Sequence, residues 1–175
     1  MRACRGVVVA ALAAMLGCGA AAFDGRVYRD AHVAFGVAAV PEAWRALRVT
    51  DAKLAFRDDA LGASVLVTAR CDVAADDVPL ASLTAQLIMG TTQREYVTEA
   101  LVPFDGREAQ HTVMAANLDG VRMRYDLFVM KKNGCVYDLA YVVPPEHFEV
   151  GAPTFEAFAK GFRALDADAP RAVEK

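Results

Sequence analysis

The residues able to do chemistry in this chain are few and scattered. His32, His111 and His147 have no His-x-x-x-His or similar ligand spacing, so nothing points to a metal site. Ser64 and Ser82 are the serines past the leader, and neither sits in a nucleophile elbow. The glycines are isolated and form no phosphate-cradling loop, and no cofactor motif stands out. Asp126 and Asp138 fall on the less apolar positions of one hairpin, near Arg124, where a carboxylate pair could do acid–base work; a structural ion pair is the favoured reading. His111 with Asp126 is the combination a small hydrolase would have to bring together in a cleft. Past the leader the cysteines are Cys18, Cys71 and Cys135, with no Cys-x-x-Cys redox motif. The expectation is a chain without catalytic, cofactor-binding or metal-ligating residues.

The ends of the chain speak more clearly. Arg2 and Arg5 precede an apolar run from Gly6 to Leu16, too short for a ~20-residue membrane span and suited to a secretory signal. Residues 1–17 read as signal peptide, 18–26 as a tether, 27–165 as one domain and 166–175 as a flexible tail. No later stretch is long and apolar enough to cross a bilayer. The formal charge of −3 becomes about −5 once Arg2 and Arg5 are set aside. Arg122, Arg124, Lys131 and Lys132 form only a small local cluster, read as a solvated hairpin edge. Nucleic acid is therefore not an expected partner.

The domain is organised around Val121 to Pro145. Met123, Tyr125, Leu127 and Val129 share one parity, and Tyr137, Leu139, Tyr141 and Val143 share another. Such alternation predicts two strands of an antiparallel sheet. The register then follows from the loop. A two-residue Asn133-Gly134 loop would set Val129 against Asp138; a three-residue loop pairs Val129 with Tyr137 and Leu127 with Leu139. The second is expected.

Other strands are predicted at Val27–Tyr28, Val33–Val37, Leu47–Val49, Lys53–Arg57, Ala63–Arg70, Arg94–Phe104 and Arg107–Leu118. Asp105-Gly106 and Asp119-Gly120 supply turns. Asp76-Asp77-Val78-Pro79 opens a helix from Pro79 to Met89, and a Phe-rich helix runs from about Pro153 to Leu165. Trp44 should cover one end of the core. Export allows oxidation, and Cys71 and Cys135 flank strands of one sheet, so a disulfide between them is expected.

Phe35-Gly36-Val37, Pro41-x-x-Trp44, the Leu-rich helix, the run of strands and the Phe-rich terminal helix together resemble the PsbP-like family, in particular its bacterial DcrB-type lipoproteins. The resemblance implies an α+β fold, an α/β/α sandwich with a central, mainly antiparallel sheet and helices on both faces. It also implies a non-enzymatic accessory or assembly role with an envelope protein partner. Met15-Leu16-Gly17-Cys18 resembles a bacterial lipobox, which makes Cys18 the lipidated residue and the membrane a partner through that anchor. Gly19 after the cysteine implies the periplasmic face of the outer membrane. The alternatives are cleavage after Ala22, giving a soluble periplasmic protein, and a small secreted hydrolase or thiol enzyme.

Overall fold

The computed structural model describes residues 21–71 and 77–167. The signal peptide, Cys18, Asp76 and the end of the tail lie outside the described residues. Among the described residues eleven strands and two α-helices follow in chain order. They are β1 (Ala22–Phe23), β2 (Val27–Arg29), β3 (Ala34–Gly36), β4 (Trp44–Ala46), β5 (Leu54–Asp58), β6 (Ala63–Cys71), α1 (Leu80–Leu87), β7 (Thr92–Phe104), β8 (Arg107–Leu118), β9 (Val121–Lys132), β10 (Cys135–Val143), α2 (Phe148–Lys160) and β11 (Arg163–Leu165). Seven strands form one antiparallel sheet in the order β4-β5-β6-β10-β9-β8-β7, and β1-β2-β3-β11 form a smaller one.

The hairpin β9–β10 sits inside the large sheet as expected, but its register is the other one. Val129 faces Asp138, Leu127 faces Ala140, and Phe128 faces Leu139. The loop is the two-residue Asn133-Gly134 turn, with both residues at positive φ (53° and 70°), the pair of left-handed conformations that a tight hairpin turn requires. The expected register assumed that one face must be dry. In fact both faces are covered. On one side Phe128, Met130, Tyr137, Leu139 and Tyr141 pack with Phe155 and Phe158 of α2. On the other, Val129 and Val136 lie under Leu83 of α1, while Leu127, Tyr125 and Ala140 cluster with Ile88.

The helices also differ from expectation. The C-terminal helix begins at Phe148 after a short 3-10 turn (Pro145–His147), so Pro153 lies inside it, and it ends at Lys160. Phe162 and Leu165 leave the helical stripe, and Arg163–Leu165 become β11, paired with β3. The helical spacing continues through Phe162 in the sequence because the stripe marks burial, and Phe162 is buried here without being helical. Likewise β4 is Trp44–Ala46, not Leu47–Val49, and Trp44 packs on Phe56 and Phe158 to close one end of the core. Ala22–Phe23 of the expected tether form a strand against Tyr28 and Arg29.

The whole is α+β, mostly antiparallel sheet with two short helices. It is not a sandwich of two full helical layers. The layer beside α2 is shared with the small sheet, whose Tyr28 and Phe35 join the same core as Phe162. α1 has eight residues and packs mainly on β8 and β9, while β7 beyond them is exposed over most of its length.

Candidate functional site

Register decides where each chemically capable side chain points. Paired residues of adjacent strands share a face. Asp126 lies opposite Tyr141 and Val113, on the α2 side, whereas Asp138 lies opposite Val129 and Thr68, on the α1 side. The two carboxylates therefore stand on opposite faces, and the carboxylate pair does not exist. The two-residue turn moved Asp138 to the other side.

Asp138 is buried under α1. Thr68 Oγ1 donates to its Oδ2 at 2.7 Å and Arg70 Nη2 at 3.2 Å, while Oδ1 has no partner. Burial pushes this carboxyl above its ordinary range, against the opposing pull of Thr68 and Arg70.

His111 and Asp126 do meet. His111 Nε2 lies 2.8 Å from Asp126 Oδ1, and the imidazole stacks on Phe128 with 4.3 Å between ring centroids and 5° between planes. The Asp126 side chain is 1% exposed and that of His111 19%. This is a carboxylate-oriented imidazole, the arrangement that holds a general base. The surface depressions at Asp105, Lys53, Arg107 and His32 are lined by other residues. Among the described residues no serine, threonine or cysteine hydrogen-bonds to His111, whose only polar partner is Asp126. Beside the pair, burial pushes the Tyr141 phenol up to about 12, with Asp58 and Asp126 adding to it.

The four basic residues of the hairpin are engaged rather than solvated. Arg122 pairs with Glu95 at 2.7 Å, the Arg124 guanidinium lies 4.2 Å over Phe148, Lys131 donates to Val78 O, and Lys132 binds Asp105. The expected disulfide is present: Cys71 and Cys135 face each other across β6 and β10 and are bonded.

The most conspicuous surface feature was missed in the sequence. On the α1 side Tyr96 lies opposite buried Met114, and Leu101 opposite Gln110, so both share the face that α1 covers further in. Both are exposed, as are Met89 after α1 and Leu118 and Val121 at the β8–β9 turn. Met89, Tyr96, Leu118 and Val121 thus border the buried Ile88–Met114–Ala116 cluster, forming an apolar margin where α1 stops short. The signal available was apolar residues set directly beside Gly90 and Asp119-Gly120, positions where turn chemistry alone would call for polar ones.

No protein-family model matches the chain, and no curated protein does. Solved structures match it by shape. The solution structure of PsbP (CyanoP) from Synechocystis is similar at TM-score 0.59 and 13% identity, over 88% of this chain and 99% of that one. LpqN of Mycobacterium tuberculosis, described as involved in cell envelope biogenesis, is similar at TM-score 0.54 and 10% identity, over 77% and 86%. The Ran-binding protein Mog1p of Saccharomyces cerevisiae is similar at TM-score 0.52 and 13% identity, over 75% and 90%. At such identities the likeness carries the fold alone: this chain has a PsbP-like fold.

Proposed function

We propose that this chain is an exported envelope lipoprotein of DcrB type, anchored through Cys18 to the periplasmic face of the outer membrane, that works by binding a protein partner rather than by catalysis. The observation that carries the binding role is the apolar margin of Met89, Tyr96, Leu118 and Val121, exposed on a sheet whose other apolar faces are covered. A surface of this kind is costly to leave in water and suits contact with an apolar patch on another protein. The leader supports export, and the fold shared with LpqN, an envelope protein by its description, is compatible with an accessory role there. Anchoring at Cys18 is supported by β1: cleavage after Ala22 would remove the residue that pairs with Arg29. The enzymatic reading rests on His111–Asp126, and the burial of Asp126 and the lack of a neighbouring nucleophile weigh against it.

Leu118→Asp and Val121→Asp place charges on exposed positions, so the fold is expected to persist. Native electrophoresis of solubilised envelopes should show a complex with the wild type that the double variant loses. Identical migration of the two would refute the binding face. Mass spectrometry of the mature N-terminus tests the anchor separately: an acylated Cys18 is expected, and an unmodified chain starting at Phe23 would refute it.

A further inference from the structure

β7 ends the large sheet, and its outer edge has no strand partner among the described residues. At thirteen residues it is the longest strand, and its side chains are exposed over most of its length. A long open edge is ordinarily blunted or paired. Three observations say what would pair with this one.

First, β7 carries a register shift between Tyr96 and Thr98, so Val97 is an extra residue. Residues five apart normally point to opposite faces, but the bulge restores Arg94 and Glu99 to the same one. Arg94 Nε donates to Thr91 Oγ1 at 2.8 Å and Nη2 to Ile88 O at 3.0 Å, which pins the guanidinium on the α1 side. Glu99 lies opposite Thr112, which faces Leu127, also on the α1 side. Second, these two charges have no counter-charge: among the described residues Arg94 meets no carboxylate, and Glu99 makes no hydrogen bond or ion pair. Third, the sequence Arg94-Glu95-Tyr96-Val97-Thr98-Glu99 is close to self-complementary when read in antiparallel with itself.

We propose that two copies of this chain pair through the edges of β7, about a two-fold axis that passes between Tyr96 and Val97. In that register Arg94 of each copy meets Glu99 of the other, twice per dimer. Glu95 meets Thr98, and both lie on the α2 side, opposite Ala115 and Val113. Tyr96 and Val97, 47% and 65% exposed in the single chain, meet at the axis and become covered. Antiparallel partners directly opposite stand about 5 Å apart at Cβ, within reach of an Arg–Glu pair. The backbone ladder and the covered Tyr96 and Val97 supply the attraction, and the two ion pairs fix the register. The two large sheets become one, with both apolar margins on the same side. Tyr96 belongs both to this seam and to the margin proposed above, and the test below separates the two because it concerns the purified chain without an envelope partner.

Sedimentation velocity of the purified full chain tests it, with thermal melting as a control for folding. The wild type should sediment with twice the chain mass. Glu99→Arg and Arg94→Glu should each shift the equilibrium to monomer, by about tenfold or more in dissociation constant. The double exchange, Arg94→Glu with Glu99→Arg, should recover the dimer. A wild-type monomer at all concentrations, single variants that dimerise as the wild type does, or a double exchange that stays monomeric while folded would each overturn the pairing.

Discussion

Asp30 sits where four donors converge: Lys53 Nζ at 2.7 Å, the backbone amides of His32 and Val33 at 2.8 Å each, and the Tyr28 hydroxyl at 3.0 Å. Burial pushes its carboxyl up, but Lys53 and the other donors together overcome this and hold it at about 2. A carboxylate lowered in the folded state stabilises above the unfolded value near 4 and loses that contribution as the pH falls towards 2. Asp30→Asn should therefore cost about 2 kcal/mol at pH 7 and almost nothing at pH 2; urea titrations at the two values read the difference. Asp138 has the opposite sign. Its carboxyl is raised, so the folded state holds the proton more tightly, and its stabilising share is full below the ordinary carboxylate value and lost as the pH rises from there through the raised folded value. Asp138→Asn should gain stability relative to the wild type as the pH rises from 4 to 7; a variant that loses stability relative to the wild type over that range would contradict this. Neither environment was legible in the sequence. No spacing in the sequence brings Lys53 and Tyr28 to Asp30, and a register read from a single apolar side puts Asp138 on the wrong face.

At the scale of elements, existence was legible and register was not. Alternation located most strands of the large sheet, since Ala63 to Arg70 and Arg107 to Leu118 both read as strands and are strands. Alternation cannot say which parity faces which helix when both faces are buried, as for β10, where eight of nine residues are buried. The terminal helix shows the same limit in another form. Phe155 and Phe158 lie in α2 and are buried, while Phe162, on the same apparent stripe, is buried from a different conformation. Phe158 touches Trp44 and Phe56 with its ring edge, at centroid distances of 5.2 and 6.1 Å. Phe158→Ala should cost about 3–5 kcal/mol in chemical denaturation. A loss below about 0.5 kcal/mol would contradict its place in the core. The Cys71–Cys135 bond joins β6 to β10 across a sequence separation of 64. Replacing both by serine should lower stability by roughly 4 kcal/mol on the chain-entropy account. Labelling of two free thiols in the denatured, unreduced protein would contradict the bond itself.

For the molecule as a whole, the resemblance read from Phe35-Gly36-Val37, Pro41 and Trp44 pointed to the right fold, and the likeness to PsbP (CyanoP) bears that out at the level of shape. The candidate site was less legible. An apolar margin is a property of where α1 ends relative to β7, and the apolar residues Met89, Leu118 and Val121 beside turns hint at it without fixing that distance. His111 and Asp126 were likewise named in the sequence, but their burial, which decides what they can do, comes from Phe128 and the strands around them. The proposed role of the α1-side margin is to hold a protein partner in the envelope. Its most direct test is a photo-crosslinking amino acid at Leu118, with Val150 as an exposed position on α2 for control. In intact cells the account predicts a discrete adduct between Leu118 and one envelope protein other than this chain, absent from Val150. No adduct at Leu118, or the same adduct from both positions, would contradict it.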